Sequence, residues 1–306
     1  MKPSQLTLPN NKKTTPILVL FVISMLSMTI YLLSPRYIPS RSFDGERAYE
    51  YVLYQTGLGP RTIGSEAHTK TIEWLQYELN KNGWEVTIQE GNRLGVRLRN
   101  VIAKRGEGNE WIILGAHFDS RSLADQDPDQ SKRSEPVLGA NDGASGVAVL
   151  LELSRVLSEQ IDKQIWLVFF DAEDNGNIQG QDWILGSREF VDKLEGKPDS
   201  AVIIDMIGDA DLKIYWEKNS DPALTKEIWD TAIELGYSDV FIPEYKHRII
   251  DDHIPFLRAG IPAVDIIDFE YPYWHTTEDT ADKVSPENLA VIGNILIHWL
   301  ETIDTK

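Results

Sequence analysis

The sequence predicts an α/β fold: a mixed, mainly parallel central sheet flanked by helices, with an N-terminal transmembrane helix ahead of it. Three observations carry this reading. Residues 111–115, 165–170 and 201–204 are apolar throughout, and 263–267 is apolar but for Asp265, as strands buried on both faces of a sheet largely are. Helical patterns separate these runs, and alternation of buried strands with helices implies parallel crossovers. Residues 17–33 carry no charge and approach the shortest length that crosses a bilayer.

Taken in order, residues 1–16 form a polar tail with Lys2, Lys12 and Lys13, residues 17–34 a signal anchor, and residues 35–42 a tether containing Pro35 and Pro39. No small-x-small cleavage pattern follows the apolar run, which favours an uncleaved anchor over a removed signal peptide. The short segment before the anchor leaves residues 43–306 to be translocated, so a membrane-anchored protein with its catalytic domain outside the cytoplasm is expected.

Within 43–306, residues 45–55 and 66–80 place apolar side chains at helical spacing, with Ile72, Leu75 and Leu79 on one face of the second helix. Gly83 ends that helix. Residues 84–89 and 96–102 alternate with period two and read as antiparallel strands with one wet face. Further helices are expected at 144–157, 187–194, 222–235 and 286–300, and the segment after Asp251-Asp252 enters another. The polar stretch 121–136 is too long for a simple connection, and its place between His117 and Asp142 puts it at the rim of a site.

Composition excludes several classes of function. The chain has 306 residues, a formal charge of −18 and no cysteine. The acidic balance, without a Lys/Arg stripe, argues against nucleic acid as a partner. Absence of cysteine removes thiolate nucleophiles and thiolate metal sites, so any metal is held by nitrogen and oxygen. The sequence does not fix the oligomeric state.

Hydrophilic residues that end buried strands are the candidate site, because ligands collect at the carboxyl ends of strands in open α/β sheets. His117, Asp171 to Asp174, and Asp205 all lie at such ends. Any one of them alone could be a cap or loop residue; their joint occurrence is the signal. Asp119 is placed to hydrogen-bond His117 and fix its tautomer, as metal-bound histidines need. Asp142 opens a helix among small residues, where it could cap the helix or approach a metal. Adjacent Glu173 and Asp174 point different ways, so one could ligate while the other handles protons. His275 sits among Phe269, Tyr271, Tyr273 and Trp274, a set suited to a pocket wall. His298 reads as a core residue, and His68 and His247 as surface residues.

The motifs Gly115-Ala116-His117-Phe118-Asp119-Ser120-Arg121, Gly139-Ala140-Asn141-Asp142-Gly143-Ala144-Ser145-Gly146, Phe169-Phe170-Asp171-Ala172-Glu173-Asp174, Asp251-Asp252-His253 and Trp274-His275-Thr276 resemble the zinc aminopeptidase and glutaminyl cyclase superfamily. They are most similar to glutaminyl-peptide cyclotransferases, and the resemblance runs from about Leu58 to the C-terminus. It implies a zinc aminopeptidase-like fold and one Zn2+ held by Asp142, Asp174 and His275. Glu173 would transfer protons, Asp205 and Asp251 would bond the amine and leaving group, and Trp274 would line the glutaminyl pocket. The substrates would be peptide or protein N-termini.

The alternative within the superfamily is an aminopeptidase with two zinc ions, the second held by His117 and Asp205 with Asp142 bridging and Glu173 activating water. Asp251 favours the cyclase, since aminopeptidases commonly have a small hydroxyl residue there, and so does Trp274. The Gly-Ala-Ser-Gly run shared with aminopeptidases weighs the other way, as does Asp174, which is shorter than the Glu of animal cyclases. A catalytically dead binding module is a third reading, disfavoured because every ligand position is filled and idle buried carboxylates are costly.

Overall fold

The computed structural model describes residues 42–158 and 161–302. The tail, the expected anchor and nearly all of the tether lie outside the described residues. Among the described residues no helix is long and apolar enough to cross a membrane.

Six strands form the main sheet: β1 (Glu85–Arg93), β2 (Val96–Arg105), β3 (Trp111–His117), β4 (Gln164–Phe170), β5 (Ser200–Asp205) and, by its number along the chain, β8 (Ala263–Ile267). Their order is β1-β2-β4-β3-β5-β8. Pairing is antiparallel for β1 with β2 and β2 with β4, and parallel for β4–β3, β3–β5 and β5–β8. The four buried runs, three apolar throughout and one broken only by Asp265, are thus the parallel centre, and the alternating runs form the antiparallel side.

Side chains alternate across this sheet into two cores. Ile112, Leu114 and Ala116 of β3, with Leu167 and Phe169 of β4, face one side. Ile113, Val168, Phe170, Ala201 and Ile203 face the other, where Phe190 and Phe256 pack. Burying each of the larger of these side chains contributes roughly 1.5–3 kcal/mol, so the centre of the sheet is the stable frame on which the loops hang.

The first face is covered by α1 (Gly45–Gly57), α2 (Glu66–Lys81), α3 (Ala144–Val156), α5 (Pro222–Glu234) and α7 (Pro286–Thr302); the second carries α4 (Leu185–Asp192) and α6 (His253–Arg258). Local sequence starts several of them. Asp44 accepts from Arg47 N, Ser65 from His68 N, and Asp221 caps α5 ahead of Pro222. α3 is buried on nearly every side, which explains its apolar composition. A two-stranded parallel sheet of β6 (Ile214–Trp216) and β7 (Phe241–Tyr245) was not expected from the sequence, since its strands are too short to show a period.

Two histidines differ from expectation. His68 is buried, not exposed: Nε2 lies 2.7 Å from Asp171 Oδ1 and the ring stacks on Phe118. It shares the face of Ile72, Leu75 and Leu79 at helical spacing, so the signal was present. His298 is only half-buried, at the edge of the α7 stripe.

Candidate active site

All four parallel strands point their carboxyl ends at one cleft of about 220 Å3, lined by Asp142, Glu173, Asp174, Asp205, Asp251, Trp274 and His275 among others. β3 ends at His117 and β5 at Asp205, while β4 runs into Ala172-Glu173-Asp174. β8 leads to the loop carrying Trp274 and His275. Asp142 precedes α3 and Asp251 precedes α6. The residues expected to hold metal, move protons or wall the glutaminyl pocket are therefore in one place, His117 reaching it through Asp142 and Asp205.

The Asp142 carboxylate stands at the centre. His275 Nε2 lies 2.9 Å from Asp174 Oδ1 and 3.7 Å from Asp142 Oδ2. On the other side, His117 Nε2 lies 3.1 Å from both Asp142 Oδ1 and Asp205 Oδ1. The ligand atoms of Asp142, Asp174 and His275 lie within 4.8 Å of one another, and so do those of His117, Asp142 and Asp205. Asp142 Oδ2 and Asp174 Oδ2 are buried without a hydrogen-bond partner. Two carboxylates and an imidazole with orphaned oxygens are a donor set that suits zinc in a catalytic site.

Asp142 does not cap α3. That position is Gly143, with φ 92° and no side-chain cap bond, so the carboxylate is free to face the cleft. A Cβ on Gly143 would lie 2.8 Å from Asp119 O and 3.0 Å from His117 Cε1, so both the backbone angle and the space require glycine.

Asp119 corrects a second expectation. Its Oδ1 is 3.6 Å from His117 Nδ1, which has no hydrogen-bond partner. The Asp119 carboxylate instead accepts from Glu173 N at 3.0 Å and Asp174 N at 3.3 Å. It fixes the turn that presents Glu173 and Asp174. Asp279 does the same for Asp142, accepting from Asn141 N at 2.8 Å, Asp142 N at 3.2 Å and Tyr271 Oη at 2.8 Å. Fully buried Arg61 donates to the carbonyls of Phe118, Leu138 and Gly139 at 2.9, 2.8 and 2.7 Å, tying the His117 and Asp142 loops together. Burial lowers the Arg61 guanidinium to about 10, which still leaves it charged at neutral pH.

The long 121–136 loop packs against the segments that carry Asp174 and His275, though none of its residues lines the cleft. Arg121 donates to Asp125 Oδ1 at 2.6 Å and to Asp174 O at 2.9 Å, and Gln126 N donates to His275 O at 3.2 Å. Ala172, Met206 and His275 have φ of 55°, 47° and 57°. Left-handed backbone at non-glycine residues costs of order 1–3 kcal/mol each, and here it falls at residues beside or within the carboxylate and imidazole set.

Burial, followed by the Asp251 charge, pushes Glu173 well above the usual carboxylate range. Burial likewise raises Asp205 to about 7 against the pull of His117. Burial would raise Asp142 too, but bonding to and charge on His117, with His275 and Arg121 behind, hold it below its ordinary value. For His117, burial opposes charge, and Asp205, Asp119 and Asp142 together outweigh it and raise the imidazole well above its usual range. Behind Asp251, His253 sits between Glu217 Oε2 at 3.3 Å and Asp265 Oδ2 at 3.6 Å, giving that acidic cluster a basic centre.

The aromatic wall is partly as expected. Trp274 stacks on His275 with centroids 3.7 Å apart, and Phe269 lines the cleft beside it. Tyr271 is instead committed to Asp279, and Tyr273 lies outside the cleft lining. Sequence reasoning missed Trp183, which stacks on His275 at 5.9 Å, and Arg248, which also lines the cleft.

Comparisons with known proteins show what the chain resembles. A glutaminyl-peptide cyclotransferase of Drosophila melanogaster is 28% identical over 276 residues, covering 77% of this chain and 75% of its own length. The crystal structure of Porphyromonas gingivalis glutaminyl cyclase superposes with a TM-score of 0.82 at 32% identity, over 85% of this chain and 99% of that one. A Zn-dependent exopeptidase from Parabacteroides distasonis gives 0.81 at 30% identity, over 85% and 99%. Residues 100–300 match the model for peptidase family M28, and with the cleft at the strand ends this establishes that the chain belongs to peptidase family M28.

Proposed function

We propose that this chain is a zinc-dependent glutaminyl-peptide cyclotransferase that converts an N-terminal glutamine to pyroglutamate and releases ammonia. The observation that carries the reading is the asymmetry around Asp142. Its Oδ2 and Asp174 Oδ2 are buried without partners beside His275, whereas its Oδ1 and Asp205 Oδ1 are both engaged by His117. One ion held by Asp142, Asp174 and His275 accounts for the orphaned atoms.

Bound zinc would supply Lewis-acid polarisation of the γ-carboxamide carbonyl. The protein's residues supply the rest. Glu173, kept basic enough to hold a proton by burial and by Asp251, takes a proton from the substrate α-amine and returns it to the departing ammonia. The amine nitrogen bonds to the γ-carbonyl carbon as that carbon loses its amide nitrogen, so no water is consumed. Asp205 and Asp251 orient the amine and the leaving group, and Trp274 walls the glutaminyl side chain. The cyclotransferase and glutaminyl cyclase names of the fly relative and the P. gingivalis structure support the same reaction.

A second reading rests on one observation, the mutual approach of His117, Asp142 and Asp205, which would suit a two-zinc aminopeptidase. Mass spectrometry of zinc-loaded protein with two peptides, one beginning with Gln and one with Leu, separates them. Loss of ammonia from the Gln peptide alone establishes the cyclase; release of free Leu establishes the aminopeptidase. The proposal places residues 43–306 as the catalytic domain outside the cytoplasm on the 17–34 anchor, with the uncharged run 17–33 as its support. Recovery of the protein in the soluble fraction of lysed cells would overturn that placement.

A further inference from the structure

Five carboxylates face the cleft, and Arg248 is the one Lys or Arg among the described residues that line it. The acids are buried, while Arg248 is exposed, so it stands at the mouth. Among the described residues no carboxylate pairs with it; Nη1 donates to Asn219 Oδ1. Asn219 is itself fixed, donating from N to Glu217 Oε2 and from Nδ2 to Ile249 O, each at 2.7 Å. Arg121, buried beside Asp174, is by contrast taken up by Asp125 and Asp174. A positioned guanidinium with spare donors, in a chain of charge −18, is the one guanidinium or ammonium among the described residues lining this cleft that can attract an anion. Exposed Ile250 and Phe269 flank the cleft and offer apolar surface to the chain that bears that anion.

We propose that Arg248 is a specificity residue. It receives a carboxylate carried by the residue after the cyclising glutamine, either an Asp or Glu side chain or the free α-carboxylate of a dipeptide. This rests on the cyclase reading above and names the substrates that reading leaves open.

The test is the kcat and KM for ammonia release from Gln-Ala amide, Gln-Glu amide and Gln-Ala free acid. The proteins compared are the zinc-loaded full chain and its Arg248→Gln, Arg248→Lys and Arg248→Glu variants. In low salt the unsubstituted protein should show a KM about three- to fivefold lower for the acidic peptides, the range for one partly exposed ion pair. The ratio of acidic to neutral kcat/KM should fall to about one in Arg248→Gln, survive in part in Arg248→Lys, and invert in Arg248→Glu. Because it is a ratio within one protein sample, partial misfolding of a variant cancels. A preference for Gln-Glu amide alone assigns the subsite to a side chain, and one for the free acid alone assigns it to a chain terminus. Equal KM values in the unsubstituted protein, or a preference that survives Arg248→Gln, overturn the proposal. If no glutaminyl peptide releases ammonia, the cyclase reading has failed. The same ratio is then taken from hydrolysis of Leu-Glu amide and Leu-Ala amide, where equality overturns the role of Arg248.

Discussion

The two sides of the Asp142 carboxylate keep different company. Toward His275 and Asp174, buried oxygens go without hydrogen-bond partners. Toward His117 and Asp205, the same carboxylate meets an imidazole that reaches both acids at 3.1 Å. Equal numbers of ligand-type residues therefore do not make equal sites. A histidine within 3.1 Å of both carboxylates can satisfy them with its own proton, while an imidazole that reaches only Asp174 leaves one buried oxygen on each acid that calls for a cation.

Removing a ligand from the first side should have the largest effect. Asp174→Ala is expected to lose bound zinc and to bring turnover to background, with metal content read by elemental analysis. Retention of stoichiometric zinc would break the comparison outright. Glu173→Gln comes next: zinc should stay near its original content while kcat falls about 10²–10⁴-fold, the usual worth of a general acid/base. Zinc loss in that variant would mean that base and ligand are interchanged.

His117→Gln tests the second side. With one ion, zinc stoichiometry should hold and activity drop roughly tenfold, as for a residue that orients its neighbours. A fall from two zinc ions to one would instead give the aminopeptidase reading the advantage. The smallest effect concerns stability. Burial, followed by the Asp142 charge, raises Asp279 to about 7 against the backbone bond from Asn141. A carboxyl raised in the folded state stabilises fully below its ordinary value near 3.8, and that contribution is lost as pH climbs through about 7. Chelator-treated protein should therefore melt several degrees lower at pH 8 than at pH 5. Asp279→Asn should flatten that slope, and an unchanged slope would show that other acids carry it.

The frame and the residues gathered at the strand ends were legible in the sequence for the same reason. A strand buried on both faces must be apolar, so a His or Asp at its end stands out, as His117 and Asp205 do. What was not legible depends on loops meeting across long stretches of chain. Asp119 looked like the partner of its near neighbour His117, yet its bonds go to Glu173 and Asp174, more than fifty positions away. Asp279 reaches Asn141 across a still longer separation. Arg248 lies in irregular chain, where no periodicity marks a direction, and Trp183 is in a similar segment.

Arg61, Asp119 and Asp279 hold the ligand-bearing turns by bonds to main-chain groups that the polypeptide makes alone. In small zinc domains the ion is a condition of folding. Here the bonds that hold those turns need no ion, so the fold should form without zinc and take the ion up afterwards. Activity should then follow the supply of zinc to the finished protein, and one population of folded molecules should be open to emptying and refilling without being remade.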